Sequence, residues 1–315
     1  MKLTARAFAP GAISSFFEIH DTTAVGTPIT DLEQVGARGG GFGLQRGVHT
    51  KVIAEEAAVN SIQIFINLQP TAEAKTTRNV IQRLLNQTGK TYRVTVEHQI
   101  DVPVGEGFGT SAGGALTAGL ALREALALPL TYNQIGKIAH ISEIQCQTGL
   151  GTVSALTVGG GLILVTEPGA PGICQIDRIP ISPDYVIVAG FYNSKLPKTV
   201  LSSPERKVQI NRYSKKTLKQ ILAEPSLENF LASCWNFAQK AGFATENVRQ
   251  LVELAKKAGA VGATQNMIGE AVHAAVLEEN ALSVIEAFKQ VLPNEKIITT
   301  KIDFQGARLV RNEGI

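Results

Sequence analysis

The run Pro103-Val-Gly-Glu-Gly107-Phe-Gly109-Thr110-Ser111-Ala112-Gly113-Gly114 restricts this chain more than any other stretch. It lies between a strand-like alternation, Tyr92–Ile100, and a helical pattern predicted over Ala112–Ala127. A glycine-rich turn feeding a helix start is an anion cradle. The first helical N–H groups lack intrahelical partners, and the macrodipole favours negative charge. Glycines let the backbone approach the anion, and Thr110 and Ser111 add hydroxyls for a phosphate oxygen or a metal. Gly105, Gly107, Phe108, Gly109, Thr110, Ser111, Ala112 and Gly113 are the candidate cradle. The plain alternative is a glycine-containing strand-to-helix turn. An initial proline, spaced glycines, paired hydroxyls and small helix-opening residues together favour the phosphate role. The run is not a Walker A loop, since no Gly-Lys-Ser/Thr follows, nor is it the dinucleotide fingerprint.

A length of 315 residues suits two ordinary domains or one two-lobed α/β unit. With 44% hydrophobic and 18% charged residues, the chain has the make-up of a well-packed soluble protein. A net charge of +3, with acidic and basic residues interspersed, argues against nucleic acid as a partner. Cys146, Cys174 and Cys234 show neither CxxC nor metal-ligand spacing, which fits a reducing compartment. There is no signal-like start and no apolar run of membrane-spanning length, so the expected setting is cytoplasmic, away from membranes.

Thr4–Ala9 predicts an edge strand ending in a turn at Pro10-Gly11, and the glycines between 36 and 43 predict a loop or a close backbone approach. Ser61–Asn67 predicts a strand and Thr71–Gln87 a helix. Thr131–Cys146 predicts a second helix with Thr131 as its cap, and Val153–Val158 and Leu162–Thr166 predict strands. Strands are expected again at Ile173–Ile179 and Tyr185–Ala189. Beyond Ser202 helices prevail: Pro204–Ala223, Ser226–Ala241, Thr245–Ala258, Ile268–Glu278 and Ala281–Val291, before a strand at Lys296–Lys301. These patterns divide the chain into residues 1–180, holding the cradle, and 181–315, richer in helix.

His140 and Glu143 lie three apart on one predicted helix and share a face. Such a pair could hold Mg²⁺ and orient a hydroxyl, or be an ordinary half-buried pair, and spacing alone favours the latter. Arg38, set among glycines, could take a substrate carboxylate in bidentate fashion or be a solvated arginine. Glu18 and His20 carry the same ambiguity between substrate contact and turn-proximal polarity. The run Gly262-Ala-Thr264-Gln-Asn-Met-Ile-Gly269 is read as a small-residue loop before a helix. His49, His98 and His273 are assigned structural roles.

Three segments in this order resemble the GHMP kinase superfamily: Ala9-Pro10-Gly11, Pro103–Ala112 with Thr110 for the first serine, and Gly262–Gly269. A narrower likeness, to the archaeal pantoate kinase family, spans nearly the whole chain. It rests on Ala9–Phe17, Gly36–Gly43, Ala139–Glu143, Thr148–Gly151, Val200–Arg206 and Pro225–Phe230. The resemblance implies an α+β GHMP kinase fold, with an N-terminal lobe of the ribosomal protein S5 domain 2-like kind and a helix-rich, ferredoxin-like C-terminal lobe. It also implies ATP and Mg²⁺ as cofactors, Ser111 on metal and phosphates, Glu143 as Mg²⁺ ligand, and His140 near the acceptor. Arg38, His140 and Thr264 would line the acceptor side. The implied partner is a small hydroxy acid, pantoate first and mevalonate 3-phosphate second; a homodimer is left open. A nucleotide binder without turnover is the rival class, and retention of Ser111 and Glu143 argues against it. The chain departs from the family pattern at Ala12, Ala37, Thr152 and Leu164, where a histidine, a serine, an aspartate and an arginine are expected.

Overall fold

Two long strands organise the first half of the chain. A computed structural model describes residues 2–23, 25–195 and 203–311, so part of the Val200–Arg206 likeness lies outside the described residues. In chain order the elements begin β1 (Lys2–His20), β2 (Gly36–Glu56), β3 (Ser61–Ile66), β4 (Gln69–Pro70), α1 (Lys75–Leu85) and β5 (Tyr92–Ile100). Next come α2 (Thr110–Ala125), α3 (Tyr132–Cys146), α4 (Thr152–Val158), β6 (Leu162–Glu167) and β7 (Gln175–Ile179). The second half holds β8 (Tyr185–Lys195), α5 (Pro204–Ala223), α6 (Leu227–Lys240) and α7 (Glu246–Lys257). It closes with β9 (Gly262–Gln265), β10 (Gly269–Leu277), α8 (Ala281–Lys289), β11 (Ile297–Lys301) and β12 (Arg308–Val310).

The first sheet runs β12-β1-β2-β5-β3-β4, with β6 also on β2 and β7 on β6. Its β3–β5 pairing is parallel and the rest antiparallel. The second sheet, β11-β8-β10-β9, is antiparallel throughout. The chain passes from one sheet to the other between Ile179 and Tyr185, then returns at β12 to pair with β1.

Pro10-Gly11 is not a turn. It marks a register shift inside β1, where proline needs no ladder partner and a Cβ on Gly11 would come within 2.8 Å of the Arg46 carbonyl. The glycines expected as a loop form the first half of β2. Gly39–Phe42 pair with β1 on one side and β6 on the other, and a Cβ on Gly39 would stand 2.5 Å from Phe16 O. The close-approach alternative is the one realised.

Helices α1, α2 and α3 bury an aliphatic layer against Val52, Ala54, Val94 and Val96 of the first sheet. The small residues opening α2 bring it close, and a Cβ on Gly113 would already touch Val48 Cγ2 at 3.0 Å. Helices α7 and α8 cover one face of the second sheet. Helices α5 and α6 join a core that both sheets share, in which Phe42 and Phe16 meet Phe230 edge-on at 5.7 and 6.2 Å. Each such buried ring contributes roughly 1.5–3 kcal/mol, so the two sheets are bound by a common apolar layer.

Helix boundaries follow their caps. Thr131 and Gln134 form a capping box, and the side chains of Ser203, Ser226 and Thr245 accept from the third residue onward. Two predicted states are reversed. Val153–Val158 is helical, bounded by Gly151 and Gly159, and Ile268–Glu278 is occupied by strand β10. Among the described residues no helix is long and apolar enough to cross a membrane.

Candidate active site

Helix α2 starts without a side-chain cap. Its N-cap is Gly109, at φ +65°, a left-handed conformation that β-carbon-bearing residues adopt only at a cost. Gly113 is the first residue whose N–H bonds back into the helix, to Gly109 O at 3.0 Å. The N–H groups of Thr110, Ser111 and Ala112 are therefore the helix-end donors, and they carry the positive end of the dipole. Gly107, at φ +81°, completes the turn.

This geometry divides the candidate cradle. Gly105, Gly107, Gly109 and the backbone of Thr110–Ala112 form the loop and helix end. Phe108 instead buries its ring in the shared core against Phe191, and its carbonyl accepts from Ala12 N at 3.0 Å. Gly113 has its N–H committed and serves the contact of α2 with β2.

Hydroxyls from three helix segments link up beside Glu143, and those of Thr148 and Ser111 reach its carboxyl. Thr148, just past the end of α3, donates to Glu143 Oε1 at 2.9 Å and lies 2.9 Å from Thr76 Oγ1 in the first turn of α1. Ser111 Oγ, in the first turn of α2, is 3.4 Å from Thr76 Oγ1 and also hydrogen-bonds Glu143. Burial raises the Glu143 pKa above the ordinary carboxylate range, while the Ser111 and Thr148 hydroxyls pull it the other way. A Cβ at Gly149 would run into Glu143 Oε2, so the turn after α3 closes tightly over the carboxyl.

One carboxylate, linked to the Ser111 hydroxyl in the first turn of α2, is a donor set that fits Mg²⁺, which takes one or two protein oxygens and leaves its other positions to phosphate and water. No group of three or more His, Cys, Asp or Glu side chains gathers as a metal cage among the described residues. The donor set thus suits a metal that arrives with its nucleotide.

Two expected site residues are engaged elsewhere. His140 is buried one turn from Glu143, and its Nε2 lies 2.9 Å from Val35 O. Burial lowers its pKa, so the neutral ring donates to that carbonyl and pins the segment before β2. Arg38 sits opposite Glu18 on β1. Its guanidinium donates to Glu18 Oε1 at 3.2 Å, Glu167 Oε2 at 2.7 Å and Thr166 O at 2.9 Å. Thr264 lies on β9, fully buried, and not in a loop.

Two of the departures from the family pattern, Ala12 and Thr152, meet at the loop. An ideal Cβ on Gly109 would stand 2.9 Å from Ala12 Cβ and 3.1 Å from Thr152 Cγ2. Ala37 lies next door, against Gly151. Leu164 is buried in the shared core over Gly40. The immediate flank of the cradle is thus lined by methyl groups and one threonine. Sequence reasoning missed Thr148 as a partner of Glu143, and Thr76 as the hydroxyl that links Thr148 to Ser111. Thr148 stood in a quoted motif, whereas Thr76 opens an ordinary helix and carries no signal.

Comparison with known proteins gives consistent results. The model of the GHMP kinases N terminal domain matches residues 75–162, which include the cradle, Thr76 and Glu143. A protein named pantoate kinase from Methanocaldococcus jannaschii is 30% identical over 286 residues, covering 89% of this chain and 96% of that one. A pantoate kinase from Thermococcus kodakarensis is 29% identical and covers 91% of each chain. A solved structure described as a phosphotransferase related to the CoA biosynthesis pathway superposes with a TM-score of 0.85 at 27% identity, over 99% of this chain and all of the other.

Proposed function

Because the chain belongs to the pantoate kinase family of the GHMP kinases, we propose that it transfers the γ-phosphate of ATP to the terminal hydroxyl of pantoate. The observation that carries this reading is the convergence of the Gly109-capped start of α2 with the Ser111–Glu143 pair. In the reaction the bond between the γ-phosphorus and the bridging β,γ-oxygen breaks, and a bond from the acceptor oxygen to that phosphorus forms. ADP leaves with the electron pair of the broken bond. Bound Mg²⁺ would supply charge neutralisation to the phosphates, with Ser111 and Glu143 as its protein ligands.

The remaining steps fall to the chain's own groups. Thr110, Ser111 and Ala112 N–H groups orient the anion. The departures at Thr152 and Ala12 put a threonine and a methyl where the resemblance implies a carboxylate and an imidazole, and these are the side chains that a Cβ on Gly109 would meet. A positioned base contributes about 10²–10⁴-fold, whereas a loose phosphoryl-transfer transition state depends mainly on alignment and charge. The acceptor proton then leaves late, to a phosphoryl oxygen or solvent. Arg38 is the candidate for the acceptor carboxylate, which would replace Glu167, the more exposed of its two carboxylate partners. The cytoplasm is the proposed setting.

A coupled assay of ADP release with pantoate, mevalonate 3-phosphate and homoserine as separate acceptors tests the proposal. Pantoate is expected to give the highest kcat/KM. Turnover of another acceptor in its place would overturn the substrate, and turnover of none despite ATP binding would overturn the enzyme.

A further inference from the structure

A second polar constellation lies entirely inside the molecule, between the lobes, and the reaction described above does not use it. Ser15 stands at a bulge of β1, where the pairing register shifts between Ser14 and Phe16. Its hydroxyl is 2.9 Å from His273 Nε2 on β10. His273 Nδ1 is in turn 2.7 Å from Asn266 Oδ1, in the turn joining β9 to β10. All three residues are fully buried.

The protons in this chain are determined by its ends. Asn266 Oδ1 only accepts, so Nδ1 carries the ring hydrogen, Nε2 accepts, and the Ser15 hydroxyl donates. The ring is neutral, as its burial against Phe42 requires; that burial takes its pKa down to about 3. The connection runs in one direction only: first-lobe hydroxyl, second-lobe imidazole, second-lobe amide.

The far end of this chain supports the phosphate loop. A Cβ placed on Gly107 would lie 3.2 Å from Asn266 Cβ and 3.4 Å from Met267 O. One placed on Gly269 would lie 3.2 Å from Glu106 O. The 266–269 turn therefore packs directly on residues 106 and 107. It is itself closed by Asn266 N–H to Ala271 O at 2.8 Å, Gly269 N–H to Asn266 O at 2.9 Å and Gln265 Nε2 to Gly269 O at 2.8 Å. Met267 N–H reaches back to Ser14 O at 2.8 Å, beside Ser15. The turn is thus clamped to β1 at two adjacent residues.

We propose that the Ser15–His273–Asn266 chain positions the phosphate loop, by locking the 266–269 turn where it holds Gly107 in its left-handed conformation. Ser15 and His273 are positioning residues for ATP and touch no substrate. The inference rests on the reading of the Gly107–Ala112 loop as the ATP phosphate site. A polar cluster that merely stabilised the lobe boundary would change melting temperature and leave nucleotide affinity alone, which makes the two roles separable.

The test uses the full chain with Mg²⁺ and a non-hydrolysable ATP analogue, measured by calorimetry, alongside KM for ATP, KM for pantoate and Tm. Ser15→Ala removes a single oxygen, and His273→Leu removes both ring bonds. Each is expected to raise the analogue Kd and the ATP KM at least fivefold, with the pantoate KM within twofold. His273→Gln, which keeps one donor and one acceptor, is expected to restore a large part of the loss. Analogue affinities within twofold of wild type for Ser15→Ala and His273→Leu, whatever their Tm, would overturn the proposal. If His273→Leu does not fold, Ser15→Ala decides alone. Wild-type protein that binds the analogue but phosphorylates no pantoate would refute the acceptor and leave this test standing. Wild-type protein that fails to bind the analogue would overturn both readings.

Discussion

Replacing His98 with glutamine should change how the protein responds to acid more than how stable it is at neutrality. His98 lies on β5 beneath α2, with Nδ1 2.7 Å from Thr50 Oγ1 and Nε2 3.1 Å from Thr77 Oγ1. Thr50 continues to Thr117 at 2.5 Å, and Thr117 donates to Gly113 O at 2.7 Å, at the start of α2. One neutral tautomer satisfies this chain. Burial holds the imidazole at about 4, against about 6.5 for an unfolded histidine. Below 6.5 the unfolded chain takes up a proton that the folded chain refuses. The stability present above 6.5 is therefore lost as pH falls towards 4, and no more is lost below that. At ~1.4 kcal/mol per pH unit the total is about 3 kcal/mol. His140 and His273, also lowered by burial, act in the same direction. Glu143, raised by burial, acts in the opposite one: its contribution is full below the ordinary carboxylate range and lost as pH rises through its folded value. Urea unfolding from pH 8 to 4.5 reads the difference. At pH 8 the glutamine variant should be weaker by about 1–2 kcal/mol for its imperfect hydrogen bonds. It should then lose one proton's worth of slope less than wild type, so the two curves converge near pH ~5. Parallel curves across that range would refute the assignment of a neutral His98.

Ser111→Ala should lower kcat by roughly 10²–10³-fold while Tm, followed by calorimetry, moves by only a few degrees; an unchanged rate would remove Ser111 from the metal and phosphate site. Glu143→Gln keeps shape and both hydroxyl partners, so the fold should hold and the Mg²⁺ concentration for half-maximal rate should rise severalfold; an unaltered titration would return Glu143 to a structural role. Gly109→Ala should destabilise by about 1–2 kcal/mol from its left-handed φ, with added crowding against Ala12, and should weaken ATP-analogue binding at least tenfold. Wild-type values for both would mean that the helix start relaxes freely.

The elements that were legible in the sequence are those with local punctuation. Helix α5 spans Pro204–Ala223 as predicted, because Ser203 caps it and Pro204 occupies its first position. Strand β10 was hidden because eight of its nine residues are buried, leaving no alternation of apolar and polar side chains to mark period two. The Gly36–Gly43 half of β2 was hidden by its glycines, which mark close packing between strands and mimic a loop. In the site, the cradle was legible from its glycines, hydroxyls and helix start, and the Ser111–Glu143 pairing only from the family resemblance, since spacing alone favoured an ordinary His140–Glu143 pair. Thr76 joins them only through tertiary packing of α1 on α2. His140 and Arg38 also hold partners that spacing could not reveal, since Val35 O and Glu167 are distant in sequence.

The return of β12 to β1 has a consequence for biosynthesis. Phe8 pairs with Arg308, so the outer edge of β1 at Arg6–Phe8 stays open until synthesis has passed residue 308. At ribosomal speeds the interval between β7 and β12 lasts on the order of ten seconds. Throughout it the nascent first lobe presents an unpaired β1 edge, the kind of surface that recruits chaperones or pairs with a neighbouring chain. Addition of β12 is therefore a release step, and shortened products that end before residue 308 should be the species that aggregate.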